Sequence, residues 1–195
     1  MITEQPTAPL KLYMLLLGSK APGRHVEQHD FFFGIATDLK ELVPDIKKFW
    51  RGAAANIHID GWREVNHVDG YQIKVMLKDD AITPSADKLF FINLGGYVSG
   101  RLEEQHHVIL SVNQDRAQAI QDAKKAAFFK TNTITTVKGA NAHIDDKYGI
   151  DVDDIYNIQE MLPATHKAKY HIEITPANNL AEDEIHLGYF RLDKL

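Results

Sequence analysis

The feature that most constrains this chain is that its first third is written twice. KLYMLLLGSKAPGRHVEQHDFFFGI, from Lys11, aligns without a gap on KLFFINLGGYVSGRLEEQHHVILSV, from Lys88, at an offset of 77 residues (88 − 11). Lys11, Leu12, Leu17, Gly18, Gly23, Arg24, Glu27, Gln28 and His29 recur as Lys88, Leu89, Leu94, Gly95, Gly100, Arg101, Glu104, Gln105 and His106. Lys47-Lys48 recurs as Lys124-Lys125 at the same offset. His58-Ile59-Asp60 recurs as His143-Ile144-Asp145 at 85 (143 − 58), which gives the second copy eight more residues. Asp69, Tyr71 and Ile73 then match Asp154, Tyr156 and Ile158. A repeat of this length predicts one supersecondary unit used twice.

Each copy reads the same way. Leu12–Leu17 and Leu89–Leu94 are short apolar runs ended by glycine, expected as strands buried on both faces. Turn signals follow at Pro22-Gly23 and Ser99-Gly100. His29–Ala36 and His106–Val112 are the expected second strands of antiparallel hairpins. Leu39, Leu42, Val43, Ile46, Phe49 and Trp50 then form a helical stripe. Asp38 and Glu41 are placed as a capping box. Pro44 requires a kink or a helix that starts there. The counterpart, Gln114–Phe129, carries Arg116, Ala119, Ile120, Ala123, Ala126 and Ala127, an alanine stripe that predicts a closer helix–sheet approach. Ile57–Ile59 and Tyr71–Leu77 read as strands. Thr131–Ala142 is looser, and Asp154–Leu162 is ambiguous between strand and helix, with the repeat arguing for strand.

The expectation is an α+β fold. It has two pseudo-equivalent hairpin–helix–strand–strand repeats packed together about a pseudo-twofold axis, because exposed apolar faces bury against each other. Two extra C-terminal strands, Tyr170–Thr175 and Ile185–Leu192, belong to neither copy. The boundaries are a flexible tail over 1–10, repeat 1 over 11–77, a linker over 78–87, repeat 2 over 88–163 and the C-terminal strands over 164–195.

Composition closes several routes. A net charge of −5 with interspersed signs shows no basic face for nucleic acid. The absence of cysteine removes disulfides, thiolate chemistry and cysteine-based metal centres. The N-terminus carries no basic region or apolar core of a signal peptide, and no run reaches the length of a membrane span. A cytoplasmic protein without a membrane partner is expected. The partner is not legible, and a homo-oligomer fits the sequence.

Chemistry concentrates in the doubled phrase G-x4-G-R-x2-E-Q-H. Its first half resembles a phosphate-binding loop. But arginine replaces lysine, His25 or Leu102 stands where serine or threonine is needed, and a strand follows where a helix should begin. Glu27 and His29 are two apart and share a strand face, as do Glu104 and His106. A carboxylate beside an imidazole suits acid–base work, so these four are the catalytic candidates. Arg24 and Arg101 offer anion anchors, and Gln28 and Gln105 complete the candidate ligand-binding set. The alternative is that an Arg–Glu–His network satisfies the polar end of a hairpin entering a core. His25 with His29, His106-His107 and the two His-Ile-Asp phrases supply metal-ligand types, but convergence of three is needed. No metal and no cofactor is assigned. The His-Ile-Asp phrases read as strand ends with turn-forming aspartates, and Trp62 and Tyr97 as core or rim packing. Ser19, Ser85, Ser99 and Ser111 sit in no nucleophile-elbow context.

KLYMLLLG, GRxxEQHD, the Leu/Val/Trp helix and HIDGWREV…VDGY together resemble a bacterial family known as domain of unknown function 1543, from about Leu10 to Pro163. The resemblance implies a bacterial cytosolic protein and assigns no activity, cofactor or catalytic residue. Two functions stay open. One is a non-catalytic binding or interaction protein with a groove near Arg24 and Arg101. The other is a small acid–base enzyme acting on an anionic small molecule.

Overall fold

The computed structural model describes residues 8–53, 56–79, 85–97, 102–123 and 150–195. The fold is α+β, and the chain divides into two compact units, Met1–Pro84 with Gln159–Leu195, and Ser85–Ile158. Among the described residues, no helix is long and apolar enough to cross a membrane.

The first unit is built on an antiparallel sheet of β1 (Lys11–Ser19), β2 (Gln28–Ala36), β3 (His58–Glu64) and β10 (His186–Arg191), in the order β10-β3-β1-β2. The central strand β1 is the apolar run, and it is buried on both faces: Leu15 and Leu17 on one, Leu12 on the other. A 3-10 turn, Leu39–Leu42, leads into helix α1 (Val43–Phe49), with proline in its first turn where the missing N–H costs nothing. The helical stripe therefore survives Pro44 by changing helix type before it. Leu42 and Ile46 pack on Leu15, Leu17, Phe32 and Ile59. Asp38 accepts from the Lys40 N–H, and Glu41 reaches back one residue further than a capping box, to the N–H and hydroxyl of Thr37.

A second sheet in this unit joins β4 (His67–Val68), β5 (Tyr71–Leu77) and β9 (Tyr170–Pro176), in that order. Asp69 and Gly70, both at positive φ (52° and 80°), make the two-residue turn from β4 to β5. The two C-terminal strands pair within the first unit. β9 pairs with β5 and β10 with β3, each completing a sheet of the first unit.

The second unit has a three-stranded sheet, β7-β6-β8, of β6 (Lys88–Tyr97), β7 (Glu104–Asn113) and β8 (Ile150–Asn157). Helix α2 (Arg116–Ala123) lays its alanines on it. Ala119 and Ala123 are fully buried against Phe90, Ile92 and Leu94. The rest of the expected helix, with Lys124 and Lys125, lies outside the described residues, as do Thr131–Ala142 and His143-Ile144-Asp145.

The ambiguous stretch is both things in turn. It is strand to Asn157, then helix α3 (Ile158–Met161), because Ile158 and Leu162, four apart, are both buried. A further short helix, α4 (Ala164–Lys169), has no apolar period and left no trace in the sequence pattern. Its His166 accepts the Ile35 N–H of edge strand β2 at Nδ1 (3.1 Å), while Nε2 faces Asp45 (3.3 Å). Burial lowers the His166 pKa below its ordinary value, against the pull of Asp45.

Candidate histidine–carboxylate centres

In each unit the pairing of three strands sets out the site. Gly18 of β1 stands opposite His29 on β2 and His58 on β3. Gly95 of β6 stands opposite His106 on β7 and Asp151 on β8. One step along, the ladder slips. Leu16 and Leu17 pair with Gly61 and Ile59, leaving Asp60 as the extra residue of a bulge. Asn93 and Leu94 pair with Asp154 and Val152, leaving Asp153 as the extra residue. A bulge breaks strand alternation and re-aims a side chain. Here it swings a carboxylate over the central glycine. A methyl group on Gly18 would stand 2.5 Å from both Asp60 Oδ2 and His58 Nε2, and one on Gly95 would stand 2.0 Å from Asp153 Oδ2. Both glycines are therefore space for the site.

In the first unit four side chains form a ring. His29 Nε2 lies 3.2 Å from Asp60 Oδ2 and 3.9 Å from Glu27 Oε2. His58 Nε2 lies 3.1 Å from Asp60 Oδ1 and 3.3 Å from Glu27 Oε1. His58 is 4% exposed, and its other nitrogen, Nδ1, lies 3.3 Å from the Asn56 carbonyl. Donation there leaves Nε2 facing two carboxylate oxygens. The ring of Tyr189 covers the His58 ring at 4.2 Å. Asp60 Oδ2 is shut off from solvent and receives no hydrogen bond, although His29 Nε2 is close. A buried carboxylate oxygen in that state carries an unmet cost.

In the second unit His106 Nε2 lies 3.6 Å from Glu104 Oε2 and 3.3 Å from Asp153 Oδ2. Among the described residues, Glu104, His106 and Asp153 are the group whose ligand atoms all lie within 4.8 Å of one another. The first-unit ring has four groups in pairwise contact, no three of which bring their ligand atoms within 4.8 Å of one another. Its exposed members are Glu27 and His29, at 41% and 47% side-chain exposure.

The remaining candidates fall elsewhere. Arg24 is exposed in the turn and makes no side-chain ion pair or hydrogen bond among the described residues. Gln28 latches that turn, its Nε2 donating to the Val26 carbonyl and its Oε1 accepting from the Ala21 N–H. Gln105 Nε2 does the same to the Glu103 carbonyl. Arg101 and the serine before its loop lie outside the described residues. His25 is exposed and joins no cluster. Trp62 is stacked on His186 at 3.9 Å, a packing role. Sequence reasoning counted His58 and Asp60 among metal-ligand types but read them as a strand end with a turn-forming aspartate, and it missed Asp153. Asp69 is the turn-forming aspartate, and Asp60 is not one. The signal for the site was the recurring glycine beside a His-x-Asp or Asp-x-Asp spacing.

The model of the domain of unknown function 1543 family matches residues 24–75, a span that contains Glu27, His29, His58 and Asp60. That match supports the family resemblance for this part of the chain. The crystal structure of a protein Il1583 from Idiomarina loihiensis is similar to this chain, with a TM-score of 0.62 and 21% identity over 94% of this chain and 98% of that one. At that identity it shows the fold alone. No curated protein matches the chain.

Proposed function

We propose that this is a binding protein for a divalent transition-metal ion, held by Glu27, His29, His58 and Asp60, with a related centre at Glu104, His106 and Asp153. The observation that carries the reading is His58. Its Nδ1 is committed to a backbone carbonyl and its Nε2 is turned to two carboxylates, the arrangement by which outer hydrogen bonds fix a metal-ligating imidazole. Distances agree. Tetrahedral bonds of about 2.0–2.1 Å put ligand atoms roughly 3.3 Å apart, the spacing of three of the four contacts. An ion would also satisfy Asp60 Oδ2. Closing the ring around an ion requires the exposed Glu27 and His29 to swing inward.

The same proposal takes the chain as an internal duplication within the domain of unknown function 1543 family, bacterial and cytosolic. Supporting it are the shared 77-residue offset of β1/β2 on β6/β7 and the bulge after Leu16 and Asn93, the same offset apart. By that register His58 and Asp60 correspond to Asp151 and Asp153, in place of His143 and Asp145. Glu27 and His29, and Glu104 and His106, remain the residues for an acid–base reading. That reading draws on Glu27 lying within 4 Å of both imidazoles.

The test is cobalt substitution of protein purified without a nickel column and stripped with a chelator. Wild type should develop the visible absorption of tetrahedral cobalt(II). His58→Ala should weaken cobalt binding by at least about 100-fold, the upper end of what losing even an outer partner costs. A wild type that takes up no cobalt and no zinc would refute the centre.

A further inference from the structure

The first-unit centre opens on one side into a cavity of about 570 Å³. Glu27 and His58 belong to its wall, and so do Lys20, Lys47, Asn56 and Tyr189. Arg191 and Asp193 also line it, but they are spent on each other in a bidentate pair, at 2.9 and 2.8 Å. Lys20 and Lys47 are not spent. Neither makes an ion pair or hydrogen bond among the described residues. Lys47 comes from the last turn of α1 and Lys20 from just beyond the end of β1, so two separate elements each contribute a lysine to one cavity wall. The Tyr189 ring, tilted by 30° over His58 at 4.2 Å, gives that cavity an aromatic wall beside the imidazole.

Two uncommitted ammonium groups beside an imidazole–carboxylate centre make the cavity attractive to anions, and lysine is an established point-charge partner of phosphate. We infer that this cavity binds the dianionic oxyanion group of a small molecule, a phosphate in preference to a carboxylate, between Lys20 and Lys47 and against the His58 face of the centre. The inference rests on the metal reading only for what the anion approaches. The lysines and the cavity stand without it. A bound dianion would sit with Asn56 and Tyr189 within the same wall, which accommodates a neutral polar body attached to the charged group. The Glu27 side of the wall disfavours a second anionic group there.

Calorimetric titration with inorganic phosphate, and in parallel with acetate, tests this on the chelator-stripped chain. Wild type should bind phosphate, and bind it more tightly than acetate. Lys20→Ala/Lys47→Ala should weaken phosphate by about tenfold or more, a difference of about 1.4 kcal/mol. Lys48→Ala, on the same helix but outside the cavity wall, should leave it unchanged. No phosphate binding by wild type, equal binding of acetate, an unaffected double variant, or an equal loss in Lys48→Ala would each overturn the proposal. Thermal melts of each variant confirm that a loss of binding is not a loss of fold. Cobalt uptake and phosphate binding by the wild type separate the two readings. If cobalt binds and phosphate does not, the cavity proposal fails and the centre stands. If phosphate binds through the lysines and cobalt does not, the centre fails and the cavity stands.

Discussion

The two units use one backbone device and fill it differently. In both, a glycine on the central strand faces a histidine on one side, and a bulged aspartate is swung over it. In the first unit the other neighbour of the glycine is His58, buried and tied to a backbone carbonyl. In the second that register position is Asp151. The first set, Glu27, His29, His58 and Asp60, is richer in nitrogen than Glu104, His106 and Asp153; under the metal proposal it would suit zinc or iron, and the oxygen-richer set manganese or magnesium. The helices differ in the same spirit. Bulky Leu42 and Ile46 fill the first unit where Ala119 and Ala123 cover the second. A shared backbone thus leaves ligand type and packing free to diverge.

The helix difference gives the largest expected effect. Ile46→Ala empties a fully buried site and should cost about 2–5 kcal/mol, whereas Ala119→Leu overfills one and should cost about 1–3 kcal/mol. Urea unfolding of the two variants measures both. Equal tolerance in the two units would mean that the stripes are interchangeable. Next come the glycines. Gly18→Ala collides with the buried His58 ring and should cost about 1–3 kcal/mol, since a buried ring cannot move aside. Gly95→Ala meets the end of Asp153, 29% exposed, which can turn to solvent, so its loss should stay within about 0.5 kcal/mol. Reversal of that order would break the comparison of the two centres.

A further effect, smaller than that of the core and Gly18 substitutions, concerns pH and the first unit. Burial holds the folded His166 pKa below its ordinary 6.5, so the unfolded chain takes the proton more readily. The stability from neutral His166 is complete above about pH 6.5 and is lost as pH falls through that value toward the folded pKa. Protonation at Nδ1 also removes the acceptor of the Ile35 N–H. Thermal melts between pH 7.5 and 5.5 should show this decline, and His166→Gln should flatten it by on the order of 1 kcal/mol, the net value of one hydrogen bond. An unchanged slope would take His166 out of the acid response.

Much of the fold was legible because burial writes itself in local pattern. The continuous run Leu12–Leu17 marked a strand buried on both faces, and Leu39, Leu42 and Ile46 marked a helix with one apolar side. The end of Asp154–Leu162 stayed ambiguous, and the repeat pointed to strand where Ile158–Met161 is helix, because so few residues cannot separate the two periods. α4 was invisible because none of its side chains is buried. The site was half legible. Glu27 with His29, and Glu104 with His106, lie on one strand and share a face by alternation alone. His58, Asp60 and Asp153 come from a strand whose register contains a bulge, and alternation fails at a bulge.

By itself the sequence determined which residues could belong to a strand, a helix or a turn, and which polar groups recur. Those follow from side-chain chemistry within a few positions along the chain. Only the tertiary structure decided that Gly18 is room for His58 and Asp60, that Gln28 latches a turn, and that Lys20 and Lys47 face one cavity. Each of these depends on which strand lies beside which and on where the ladder slips by one residue. Those are set by long-range packing of the whole sheet, and no local window of sequence contains them.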